Sequence, residues 1–182
     1  MPRECDDRVF DAAGKDAMSS SDQDDFPFDP FIEEQRFEEP PPRAPAALAS
    51  MLALWRSLAA GGGVPHRGQL DTLTLRPWLG HVMIYEAVDG GRDFRNRLEG
   101  SEVVMLTGED WTGRCASEVD AQFGSRMLEY MQEAVKTGKP CMHSMWMFQK
   151  ESIRVTRLMM PVKSRADGPV DQILAVLYPD RA

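Results

Sequence analysis

The chain has 182 residues, 42% of them hydrophobic and 8% aromatic, which is enough for one packed domain with extensions. It holds no run of about 18 apolar residues that could cross a membrane, and its opening, MPRECDDRVFDAAGKDAMSSSDQDD, lacks the apolar core of a secretory signal. The net charge of −8 lies wholly in residues 1–45, with thirteen acids against five bases; a neutral body with an acidic arm excludes the basic face that nucleic acid or an anionic membrane requires.

Residues 1–43 show no sustained period, carry Ser19-Ser20-Ser21 and Pro40-Pro41-Pro42, and are read as a disordered acidic tail. Phe26, Phe28, Phe31, Ile32 and Phe37 sit among those acids. A plain solubilising arm is the reading adopted, with a docking motif that folds on a partner as the alternative. The composition changes at residue 44. Over 44–63, Leu48, Met51, Leu52, Trp55 and Leu58 make one stripe of an amphipathic helix, ended by Gly61-Gly62-Gly63. The stripe either covers the chain's own sheet or pairs with a second copy, which makes Leu48, Met51, Leu52 and Trp55 a candidate dimer interface.

Residues 64–80 form a connector, ordered because Pro65 and Pro77 fix φ. His81 to Val88 is a strand apolar on both faces, Asp89-Gly90-Gly91 a turn, and Asp93 to Gly100 a returning strand. Ser101 opens a short helix through Leu106, and Gly108, Trp111 and Gly113 mark tight passages beyond it. Glu118 to Thr137 reads as one long helix with the stripe Val119, Phe123, Met127, Tyr130, Met131 and Ala134, stopped by Gly138 and Pro140. Gly124 inside it predicts a tight packing contact. Cys141 to Gln149, Ile153 to Lys163 and Gln172 to Tyr178 read as strands.

The stretch DFRNRLEGSEVVMLTGEDWTGR, Asp93 to Arg114, resembles the middle of a PAS domain. More narrowly, it is similar to the PAS-like family common in alphaproteobacteria, whose pattern runs FRYRL-G-T/S, a short helix, then G-x-D-L/W-T-G-R. The resemblance covers residues 48 to 178. It implies an α+β fold: a five-stranded antiparallel sheet of PAS type with helices on one face, preceded by the amphipathic helix and the tail. It divides the chain into the tail (1–43), the helix (44–63) and a PAS-like domain with its connector (64–182).

That resemblance implies a sensory or regulatory protein acting in signal transduction through protein contacts, with a small-molecule ligand between sheet and helices as one form. The alternative is a ligand-free dimerisation and docking module, a scaffold or adaptor. A protein partner such as a signalling kinase or regulator is expected, as is a homodimer. Candidate pocket residues are Asn96, Trp111, Phe123, Met127 and Trp146. Asn96 is a buried amide in need of hydrogen bonds, while Trp111 and Phe123 are large enough to fill the space themselves. A filled core and no cofactor are the expectation.

The chemistry-bearing residues agree with a non-enzyme. No GxSxG, GxxxxGK[ST] or GxGxxG occurs. Cys115 lies near the position of the reactive cysteine in flavin-binding photosensors of this fold, but one residue early and without the surrounding Asn, Arg and Phe. Haem-binding members carry a histidine on the long helix, and residues 118–137 contain none. Cys141 and His143 share a strand face but lack further metal ligands at plausible spacing. Cys5, Cys115 and Cys141 show no CxxC spacing, which predicts a reduced, cytoplasmic setting.

Overall fold

A computed structural model describes residues 34–148 and 152–181. Six strands form one antiparallel sheet: β1 Gln35–Phe37, β2 Val82–Val88, β3 Asp93–Glu99, β4 Cys141–Phe148, β5 Ser152–Lys163 and β6 Val170–Pro179, in the order β1-β4-β5-β6-β2-β3. Five were expected. The sixth, β1, comes from the segment read as disordered. It pairs with β4 through Gln35↔Ser144, Arg36↔His143 and Phe37↔Met142. An open edge on β4 would leave a row of backbone donors and acceptors unpaired, and β1 covers it. Arg36 then reaches Glu133 with two bonds of 2.7 and 2.8 Å. Residues 1–33, including the docking candidates Phe26, Phe28, Phe31 and Ile32, lie outside the described residues.

The helices expected on one face of the sheet lie there, and the preceding amphipathic helix covers the other. Helices α2 (Ser101–Thr107), α3 (Ala116–Phe123) and α4 (Met127–Thr137) lie over one apolar layer, which includes Tyr85, Phe94, Val155 and Met159. Helix α1 (Ala46–Leu58) lies over the other, which includes Met142, Leu158, Met160, Leu174 and Val176. Alternation along β5 assigns Val155 and Met159 to one layer and Leu158 and Met160 to the other, as a strand's two-residue period requires.

The stripe of α1 is consumed by this packing. Leu48, Met51, Leu52 and Trp55 are all 5% exposed or less, and the Trp55 indole donates to the Pro161 carbonyl at 3.0 Å. Burying each such side chain contributes about 1.5–3 kcal/mol. The four residues therefore do not form a dimer surface. The connector docks on the same layer, with Leu70 and Leu75 buried and the Trp78 indole donating to the Ala47 carbonyl at 2.8 Å.

The expected long helix is two helices. Gly124 adopts φ +64°, the left-handed conformation that closes a helix. The Asp120 carboxylate then accepts from the backbone N–H groups of Met127 at 2.8 Å and Leu128 at 2.9 Å, and from the Ser125 hydroxyl. Gly124 is thus a helix stop. Beyond β6 the Arg181 N–H donates to the carbonyl of Arg43, just ahead of α1, at 2.9 Å.

Candidate ligand cavity

The segment from β3 to α3 builds one side of a cavity. Gly100 lets β3 cross the preceding connector, because a Cβ there would lie 2.2 Å from the Gly80 carbonyl oxygen. Helix α2 follows and ends at Gly108. The loop beyond folds back on β3, where the Asn96 N–H donates to the Arg114 carbonyl and the Gly113 N–H to the Asn96 carbonyl, each at 2.8 Å. These bonds suspend Trp111 beside the sheet, and the Glu99 carboxylate accepts from the Trp111 N–H.

The space so framed has a volume of about 530 Å³, within the range of small-molecule sites. Met83, Tyr85, Met145, Arg157 and Leu177 form its sheet side. Val103, Thr107, Val119 and Met127 border it from the helices. Trp111 and Phe123 do not fill it. They meet edge to face, with centroids 5.5 Å apart and planes at 62°, and form a wall.

Of the five expected pocket residues, the structure brings Trp111, Phe123 and Met127 together on that wall. Trp146 borders the cavity at its rim. The register of β4 sets it on the opposite face from Met145, 40% exposed, with the Arg154 guanidinium 5.9 Å above its ring. Asn96 is fully buried but does not line the cavity. Its Oδ1 accepts from the Leu98 N–H at 3.1 Å, and its Nδ2 donates to the Tyr85 hydroxyl at 3.5 Å. The amide is satisfied internally, and Tyr85 stands between it and the cavity. A bulge at Ile84/Tyr85 shifts the register and leaves Leu98 42% exposed instead of on Asn96's face.

The charged groups of the wall are Glu99 and Arg157. Burial pushes the Glu99 carboxyl up to about 7, opposed by the Trp111 N–H and assisted by nearby Asp110. Arg157 stands mid-sheet, with its side chain 7% exposed. Its Nη2 lies 3.5 Å from Glu34 Oε1, whose side chain is 5% exposed. Neither residue was singled out from sequence. The signal for Arg157 was present, since Val155, Arg157 and Met159 alternate on one strand face and the outer two are fully buried.

The other candidates lie elsewhere. Cys115 precedes α3 with its N–H on Glu118 Oε2 at 2.7 Å, is buried, and does not line the cavity. Cys141 and His143 share the helix-facing side of β4, but among the described residues no group of three metal-ligating side chains occurs. No helix of the described residues is long and apolar enough to cross a membrane.

No curated protein matches the chain. One solved structure, titled "Structure of an RNA-binding Light-Oxygen-Voltage Receptor", is similar at 13% identity and a TM-score of 0.47, over 81% of this chain and 38% of that one. A family model described as "PAS domain" matches residues 43–177, from just before α1 into β6. The chain belongs to the PAS domain family.

Proposed function

We propose that the protein is a sensory PAS domain, of the branch common in alphaproteobacteria, that receives a small molecule in its cavity and reports through protein contacts. The single observation that carries this reading is the cavity of about 530 Å³ bounded by sheet and helices, apolar over most of its wall but with Arg157, Glu99 and Trp111 at defined points. A few convergent polar groups in an apolar cavity are what orient a ligand. Methionines at 83, 127 and 145 give the wall adaptable side chains. The residues do not favour haem or flavin chemistry, because neither α3 nor α4 carries a histidine and Cys115 is not on the wall. Self-association through α1 has no part in this reading, since its apolar stripe is buried.

Native mass spectrometry of the chain purified from its own cells tests the reading. A retained small molecule without a visible absorbance band is the expected result. A bare polypeptide mass, combined with no melting-temperature shift on a panel of apolar acids, alcohols and amines, overturns it.

A further inference from the structure

The cavity wall has an unmet chemical demand. Two of its side chains carry a buried polar atom with no partner among the described residues, Trp111 Nε1 and Arg157 Nε. Both atoms are donors. Neither atom has exposed surface, so an acceptor carried by a molecule in the cavity reaches them where a neighbouring side chain gives way.

Arg157 says which acceptor. It is a permanent charge in the middle of the sheet, and its ion partner among the described residues is Glu34. That pair is loose. One contact of 3.5 Å joins Nη2 to Oε1, while Arg157 Nε and Glu34 Oε2 are both buried without partners. Nε and Nη2 form one edge of the guanidinium, spaced to hold both oxygens of a carboxylate in parallel bonds. Glu34 reaches only one of the two. A single positive charge with a neutral indole N–H on the same wall compensates a monoanion and not a phosphate dianion. Glu99, pushed up to about 7, is partly protonated near neutrality and so repels an acid only weakly.

We propose that the cavity takes a small apolar carboxylic acid, its carboxylate on the Nε–Nη2 edge of Arg157 in place of Glu34 and its body among Met83, Val103, Met127 and Met145. This rests on the reading of the cavity as a ligand site. Glu34 immediately precedes the three-residue strand β1, so its displacement loosens β1 and uncovers the edge of β4. Ligand arrival in the cavity is thereby reported at the sheet edge.

Calorimetric titration of the full chain with decanoate, decan-1-ol and decylamine tests the proposal. Decanoate binds at least about tenfold more tightly than the alcohol, the margin of a charge-assisted hydrogen bond, and the amine binds weakest. Glu34→Gln tightens decanoate severalfold and leaves decan-1-ol unchanged. Arg157→Gln removes the preference for the acid; should that chain fail to fold, Glu34→Gln decides. Amides of Gln35–Phe37 exchange faster with decanoate than with decan-1-ol. Alcohol or amine binding as tightly as the acid overturns the carboxylate assignment while leaving the ligand site intact. No binding by any of the three overturns both, and an acid affinity indifferent to Glu34→Gln overturns the displacement.

Discussion

The imidazole of His143 lies flat against the phenol of Tyr130, with ring centroids 3.7 Å apart and planes 16° from parallel. The contact seals a fully buried histidine between β4 and α4. Burial, with the charges of Arg157, Arg36 and Arg126, pushes His143 down to about 3 from an ordinary 6.5. The native state therefore refuses a proton that the unfolded chain takes up as pH falls below 6.5. The stability this residue contributes is whole above that pH and is lost between 6.5 and 3. At pH 5 the loss amounts to about 2 kcal/mol relative to pH 7. Glu99 acts in the opposite sense, since the stability from its raised value is whole below the ordinary 4.5 and is lost as pH rises to about 7. Urea unfolding of the natural chain and of His143→Phe at pH 7.5 and pH 5 separates the two. The variant gains about 2 kcal/mol on the natural chain over that interval. Parallel pH profiles would sink the assignment.

Gly100→Ala destabilises the fold by about 2 kcal/mol, because the added Cβ meets the backbone oxygen of Gly80 and no flexible side chain can yield. Gly61→Ala serves as the control, with nothing within 4 Å of its Cβ. Denaturant midpoints for the two should differ clearly, and equal midpoints would show that the crossing at Gly80 is not tight.

Asp120→Ala costs about 1–2 kcal/mol, the range for losing a helix cap, since the carboxylate takes the first N–H groups of α4 from the end of α3. Asp120→Asn retains part of this. Calorimetric melting checks the order natural chain, Asn, Ala. Residues 121–125, which the cap holds in place, line the cavity, so ligand affinity should fall together with stability in the Ala variant.

Trp55→Phe removes the bond to the Pro161 carbonyl and costs about 1 kcal/mol with no change in mass by light scattering. Leu52→Glu with Trp55→Glu places two charges in a sealed layer and unfolds the chain. A folded double variant with lowered mass would restore the dimer role for this stripe.

Local signals were legible in sequence and non-local ones were not. The β2–β3 hairpin and Gly100 followed from period and glycine placement, which act within a few residues. The stripe of α1 was equally plain, but amphipathicity says that a face is covered without saying by what. Strand β1 was hidden because three residues in an acidic run have no strand signal of their own, and their pairing comes from the edge of β4 more than a hundred residues away. Gly124 fitted a helical pattern, and only the Asp120 carboxylate reveals that the chain turns there. At the site, Trp111, Phe123 and Met127 were found from the helix stripe and the loop motif. Trp146 lines the cavity from a half-exposed position, and Asn96 is buried as its alternation predicts but bonds Tyr85 and Leu98 instead of lining the cavity, while the bulge in β2 moves Leu98 off its face.

The bond between Arg181 and Arg43 brings the start and the end of the segment from α1 to β6 to one corner. A circular permutant joined there and opened at the exposed Gly61-Gly62-Gly63 tip lacks β1 and should keep the five strands β2 to β6. Seen from a longer polypeptide, such a domain takes up almost no contour length. It hangs from the chain like a loop on a string, and neighbours on either side of it are held within reach of the same corner.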